Sequence, residues 1–254
     1  MAFAQSADGT SIYFEVEGSG PPVLLHHGFM SSIQNWRDNG YVEHLADTYR
    51  VIAMDGRGHG HSGKPHDATD YLIRRRVDDV CAVLDLLDLE RVHFVGYSMG
   101  GRIGFAMAKH EPDRLSSLVI GGMHPYRGDA ELLTARAEVL ADGMEALLSV
   151  MELYGGAVLE PYRSMVLAGD SAALLASTLA TRDDSDLGLA LAEVTLPTLL
   201  WCGTDDPGHD GVSRCAAEIP NAEFVALDGL DHIQGFSVAS AVLPHITTFL
   251  DRLV

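Results

Sequence analysis

Gly96-Tyr97-Ser98-Met99-Gly100 follows the apolar run Val92-His93-Phe94-Val95 and precedes a helix-like stretch from Gly101 to Ala108. A serine between a strand and a helix takes a strained backbone conformation, and glycines two residues to either side leave room for so sharp a turn. The turn holds Ser98 Oγ out at the sheet edge. It also sets the first backbone N–H groups of the helix beside the hydroxyl, where the positive end of the helix dipole favours a developing oxyanion. The chemistry this suits is nucleophilic attack on an acyl carbon. A serine hydroxyl is a weak nucleophile at neutral pH, so a base must take its proton and a third group must orient that base.

One recurrent arrangement puts the acid and then the histidine after the serine in chain order, each on a loop behind a later strand. Leu199-Leu200-Trp201-Cys202-Gly203 is followed by Thr204-Asp205-Asp206-Pro207, and Ala226-Leu227-Asp228-Gly229 by Leu230-Asp231-His232. His232 is the base that fits, because His110 ends the helix after Ser98, His245 lies in the final helix, and His209 is too near the acid loop. Asp205 and Asp206 compete for the acid, and spacing does not separate them, although the extended bias of a residue before proline favours projection of Asp206. The second oxyanion donor should come from the loop His26-His27-Gly28-Phe29-Met30, where Gly28 permits close approach and the N–H of Phe29 pairs with that of Met99. A metal site at His26 and His27 is disfavoured, since adjacent side chains on a strand point to opposite faces. His59 and His61 read as turn residues.

These residues need a frame. Ile12 to Val16, Val23 to Leu25, Val51 to Met54, Leu118 to Ile120, Thr198 to Trp201 and Phe224 to Leu227 read as strands, most of them continuous apolar runs that imply burial on both faces. Apolar residues at helical spacing between Arg74 and Leu89 predict an amphipathic helix, and a last helix runs from about Val238 to Leu253, with Pro244 expected to kink it or displace its start. Alternating strands and helices give an α/β class with a mostly parallel sheet covered on both faces. From about Pro125 to Glu193 the alternation breaks into helical patterns such as Glu131 to Leu140 and Met144 to Leu153. The expected organisation is a core of residues 1–124 and 194–254 with a small helical cap over 125–193, beside the strand ends where open α/β sheets bind ligands.

A chain of 254 residues fits one large domain, and its 47% hydrophobic and 21% charged make-up is that of an ordinary globular protein. A formal net charge of -19 argues against nucleic acid and against an anionic membrane surface. No apolar run is long enough to span a bilayer, and the first twenty residues lack the apolar core of a secretory signal, so a cytoplasmic location is expected. Cys81, Cys202 and Cys215 are odd in number and widely spaced, which suits buried thiols in a reducing compartment.

Taken in order, His27-Gly28-Phe29, Asp55-Gly56-Arg57-Gly58-His59-Gly60-His61-Ser62, Gly96-Tyr97-Ser98-Met99-Gly100-Gly101, Gly203-Thr204-Asp205-Asp206-Pro207 and Asp231-His232 resemble the successive signatures of the α/β-hydrolase superfamily, over nearly the whole chain. The family's acid commonly stands in a G-x-x-D pattern before proline, which carries over to Asp206. By the same resemblance the Asp55 to Ser62 stretch is a structural turn shaping the pocket wall. The compact cap, with Ala141 to Leu147, is similar to the 3-oxoadipate enol-lactonase and small esterase branch, although Met30 stands where such relatives often show proline. The resemblance implies a serine hydrolase of small esters or lactones, with Ser98, His232 and Asp206 as triad and Phe29 and Met99 as oxyanion hole. It needs no cofactor and no metal. Rival readings are carbon–carbon bond hydrolysis of diketone-like ring-cleavage products, thioester hydrolysis, and a ligand receptor on the same fold. Oligomeric state is left open. Met30, Met123 and Tyr126, near strand ends, are expected to line an apolar substrate pocket. None of Arg102, Arg127, Arg136, Arg163 and Arg182 is placed in that pocket by sequence, so short neutral esters or lactones are expected over carboxylate-bearing ones.

Overall fold

Strands, the central ones buried on both faces, build the centre of the molecule. They are β1 (Ala2–Gln5), β2 (Ser11–Glu17), β3 (Pro22–His26), β4 (Arg50–Met54), β5 (Val92–Tyr97), β6 (Leu115–Gly121), β7 (Thr198–Gly203) and β8 (Ala222–Leu227). The computed structural model describes residues 2–155, 157–158, 160, 162–183 and 187–254. The strands form one sheet in the order β1-β2-β4-β3-β5-β6-β7-β8, antiparallel at β1, β2 and β4 and parallel from there on. The chain runs from β3 outward to β4 and then back across to β5. The carboxyl ends of β3 and β5 therefore flank the point where the winding reverses, which is where a crevice opens in such sheets.

The helices are α1 (Ile33–Asp38), α2 (Tyr41–Ala46), α3 (Ile73–Leu86), α4 (Met99–His110), α5 (Ala130–Ala141), α6 (Met144–Gly155), α7 (Tyr162–Leu167), α8 (Ser171–Asp183), α9 (His209–Glu218), α10 (Gln234–Ser237) and α11 (Ala239–Asp251). Two apolar cores lie on opposite faces of the sheet. Phe94, Leu200 and Cys202 meet α3, α4 and α9 through Val80, Ile103 and Val212 on one face; Val95, Leu199 and Trp201 belong with Trp36, Tyr41 and Ile246 of α1, α2 and α11 on the other. Truncating a fully buried aromatic such as Trp36 to alanine costs about 3–5 kcal/mol in such cores. Among the described residues, α5 to α8 follow β6 without an intervening strand, and their own cluster of Leu140, Leu147, Leu148 and Leu174 packs against Phe29 and Met30.

Several elements depart from the sequence expectation. β1 went unread because only Ala4 of its four residues is buried, so no alternation was visible. The short helices α1, α2, α7 and α10 carry too few turns to show a period. The helix over Arg74–Leu89 stops at Leu86, with Asp88 in a left-handed conformation at φ +53°. Pro244 neither breaks α11 nor marks its start. It sits in the second turn, where the hydrogen bond it removes is one to Ser240. Among the described residues no helix is long and apolar enough to cross a membrane.

Candidate active site

Ser98 follows the last residue of β5 at φ +52° and ψ −113°, a conformation side chains rarely adopt, with its N–H donating to Gly121 O (2.9 Å) and its carbonyl accepting the first helical bond of α4 from Arg102 (3.0 Å). The flanking glycines are steric necessities. A Cβ at Gly100 would lie 2.1 Å from His26 O, and one at Gly96 would lie 2.5 Å from Gly100 O. Only bare backbone fits between β3 and the turn.

His232 reaches Ser98 from the far edge of the crevice. Its Nε2 is 3.0 Å from Ser98 Oγ, and its Nδ1 is 2.7 Å from Asp206 Oδ2. Of the neighbouring aspartates, Asp206 is 6% exposed and meets the histidine, whereas Asp205 is exposed. Burial alone would raise the Asp206 carboxyl. The hydrogen bond and charge of His232, the Gly208 N–H and the Cys202 thiol outweigh burial and hold it below the usual carboxylate range. The loops carrying acid and histidine lie so close that a Cβ at Gly203 would fall 1.9 Å from Leu230 O. The segment after His232 is tied to the core by three aromatic donors. Tyr97 Oη donates to His232 O (2.5 Å), Trp201 Nε1 to Gly235 O (3.0 Å) and Tyr41 Oη to Phe236 O (2.8 Å).

The loop after β3 approaches from the other side, and a Cβ at Gly28 would sit 3.4 Å from Ser98 Cβ. Phe29 and Met99 both border the cavity at Ser98. Beneath this loop the structure corrects the sequence argument about histidines. His26 ends its strand, so alternation no longer separates it from His27, and the two rings lie 5.4 Å apart. His27 Nδ1 is 2.7 Å from Gly28 O and its Nε2 accepts from Gly56 N (2.9 Å), while His59 Nδ1 is 3.0 Å from Arg57 O. Backbone groups thus engage these rings, and among the described residues no group of three or more His, Cys, Asp or Glu comes together to hold a metal ion. The stretch after β4 is a braced turn. Asp55 accepts from Ile33 N and His61 N, both at 2.8 Å, and the buried Arg57 grips Asp79 through two bonds of 2.6 Å.

These buried histidines make the fold acid-sensitive. Burial, joined by the charge of His27, lowers His26 to about 3, and burial likewise lowers His27 and His59. The folded protein keeps them neutral, while the unfolded chain takes up protons below about pH 6.5. Stability is therefore full above that pH and drains away as pH falls towards about 3, at up to about 1.4 kcal/mol per ring per pH unit. The thermal midpoint should drop by several degrees between pH 7 and pH 5, at about 2–4 °C per kcal/mol. A midpoint level across that interval would contradict the assignment.

Met30 adopts φ +58°. Proline is fixed near −65°, so it cannot occupy this loop as it is shaped here. Met30→Pro should reduce kcat/KM by about tenfold or more and lower the thermal midpoint, since the neighbouring Phe29 N–H must move. Unchanged turnover and melting would show that the loop conformation is immaterial.

The sequence-predicted lining residues divide. Met123 and Tyr126 border the larger cavity beside Ser98, whereas Met30 borders a smaller one beyond Phe29. Of the five candidate arginines, Arg102 and Arg136 line the larger cavity. Arg163 pairs with Glu152 and Arg182 with Asp183, both ending outside it. Arg76 was missed. It lines the cavity, and its place four residues before Val80 and seven before Val83 put it on the buried face of α3, a signal the helical spacing contained.

Residues 21–142 match the family model described as alpha/beta hydrolase fold. A protein of Azorhizobium caulinodans named as a carbamate hydrolase is 30% identical over 269 residues, covering 97% of this chain and 95% of its own. The chain belongs to the α/β-hydrolase family. Among solved structures, this α/β-hydrolase is similar to the enol-lactonase from Burkholderia xenovorans LB400 (TM-score 0.87, 26% identity, 98% of this chain and 100% of that one). It is also similar to a thermophilic esterase from Thermogutta terrifontis (TM-score 0.83, 25% identity, 99% of this chain and 98% of that one).

Proposed function

We propose that this α/β-hydrolase cleaves small carboxylic esters through an acyl-enzyme formed on Ser98, with lactones as the related alternative, in a reducing, cytoplasmic setting that suits its three free cysteines. The observation that carries the reading is the unbroken relay from Ser98 Oγ through the His232 ring to Asp206, at 3.0 and 2.7 Å. Ser98 Oγ attacks the substrate carbonyl and passes its proton to His232 Nε2. Asp206 holds Nδ1–H, fixing the tautomer, and stabilises the imidazolium. The carbonyl oxygen gains charge between the N–H groups of Phe29 and Met99, each such donor being worth about 2.7–4 kcal/mol in the transition state. Collapse expels the alkoxide, which takes its proton from Nε2. Water, deprotonated by the same nitrogen, then releases the acid and restores Ser98.

An alkyl fluorophosphonate should label the protein once, and 4-nitrophenyl butanoate should turn over continuously with a burst when deacylation is slow. A label recovered on another residue would overturn the nucleophile. A single turnover with no steady state would instead favour a receptor. Cleavage of a 1,3-diketone in place of esters would move the reaction to carbon–carbon bonds.

A further inference from the structure

Ser98 lies where two cavities meet. The larger, about 390 Å³, runs beneath α5 and α8; the smaller, about 240 Å³, opens beyond Phe29, and Phe29, Ser98 and His232 border both. The two arms differ in charge. Asn35, Asn39, Tyr162, Ile233, Phe236 and Ser237 wall the smaller arm, which has no Lys or Arg among its lining residues. Arg76, Arg102 and Arg136 wall the larger one, facing the carboxylates of Asp206, held by His232, and Asp129. Asp129 is exposed, and its Oδ1 accepts from the N–H groups of Glu131 and Leu132.

Arg136 lacks an anion, and Arg76 feels Asp79 only from beyond ion-pair distance. The Arg136 guanidinium lies 4.9 Å over the Phe29 ring, next to the residue proposed to donate to the oxyanion, and no carboxylate among the described residues comes within ion-pair distance of it. Arg76 is 5% exposed, and its hydrogen bonds go to Tyr71 O, Ser177 O and Ser177 Oγ, all neutral. Burial lowers both guanidinium groups, Arg76 to about 10, so each stays charged at neutral pH in surroundings that solvate it poorly. A buried cation without an anion is a standing cost that a bound carboxylate relieves, and planar guanidinium groups take carboxylates by charge-assisted bonds. The overall charge of -19 opposes an anion only at long range, where salt screens it beyond about 8 Å.

The expectation of a neutral substrate rested on no arginine being placed in the pocket by sequence, and Arg76, Arg102 and Arg136 line it. We propose that this enzyme hydrolyses linear half-esters of short dicarboxylic acids, the free carboxylate seated on Arg136 in the larger arm and the alcohol in the smaller. The inference rests on the hydrolase reading above. A lactone keeps acid and alcohol in one ring and needs no second arm. The smaller arm is built by Ile233, Phe236 and Ser237, which follow the histidine that must hand the departing alkoxide its proton. The stacking of Arg136 on Phe29, whose N–H is proposed to meet the oxyanion, favours a short spacer between the two carbonyl groups.

The test compares monobutyl succinate with butyl 4-methylpentanoate, a neutral ester of the same shape, on wild type, Arg136→Gln and Arg136→Lys. Wild type should favour the half-ester in kcat/KM by roughly ten- to a hundredfold, the range of a charged hydrogen bond. Arg136→Gln should erase at least about tenfold of that ratio and Arg136→Lys less, with the thermal midpoint showing that each variant is folded. A neutral ester hydrolysed as well as the half-ester, or a ratio untouched in Arg136→Gln, would overturn the inference and leave the hydrolase reading intact. No turnover of either ester, with Ser98 unlabelled by a fluorophosphonate, would overturn that reading and this inference with it.

Discussion

Ser98→Ala should lower kcat for ester hydrolysis by about four to six orders of magnitude, because the members of a catalytic triad act as a unit. The residue left behind inherits a difficult backbone. At φ +52° alanine is as strained as serine, so the thermal midpoint should barely move, and the pairing of His232 with Asp206 persists. Ser98→Gly should be equally inactive yet melt higher, since glycine takes that conformation without the usual cost of about 1–3 kcal/mol. The pair of variants separates chemistry from strain. Residual activity of Ser98→Ala within about tenfold of wild type would remove Ser98 from the reaction, and a glycine variant melting below the alanine one would show that the turn is not strained.

Asp206→Asn should lower kcat by about 10⁴, as removal of an orienting carboxylate does elsewhere, while Asp205→Asn should stay within about twofold. Asp206 Oδ2 sits 2.7 Å from His232 Nδ1, and Oδ1 accepts the Gly208 N–H at 2.8 Å. An amide in that place can present N–H to Nδ1, hold the ring in the wrong tautomer and offer no charge to the imidazolium. The depressed carboxyl has a thermodynamic counterpart. Stability drawn from its pairing is present above the ordinary aspartate range and is lost as pH falls below it, and Asp206→Asn should remove that part of the acid dependence. Kinetics in which Asp205→Asn is the more damaging change would reverse the assignment.

What could be read from the sequence was whatever depends on local order. Glycines around Ser98, the chain order of acid and base, and continuous apolar strands each leave a mark in consecutive residues. The fold class and the α/β-hydrolase kinship follow from them. Spacing alone left Asp205 and Asp206 open, and the resemblance pointed to Asp206; which one turns inward depends on the loops drawn together at Gly203 and Leu230. The same holds for the arginines. Arg136 lies three residues after buried Leu133 and four before buried Leu140, so its inward face was visible once α5 was granted, yet its nearness to Phe29 depends on how that helix crosses the sheet edge. The grouping of His26, His27 and His59 was hidden by a rule that holds inside a strand and fails at its last residue.

The three aromatic donors that hold the carbonyls of His232, Gly235 and Phe236 have a consequence for how the molecule breathes. Loops commonly open by themselves at low free energy, but here opening would strip hydrogen-bond partners from Tyr41 and Trp201, which are fully buried in the core under the sheet, and from Tyr97 on its central strand. The segment bearing the base is thereby enrolled in the cooperative unit of the sheet. Its amides should exchange with solvent on the timescale of global unfolding, so that His232 stays in place between turnovers.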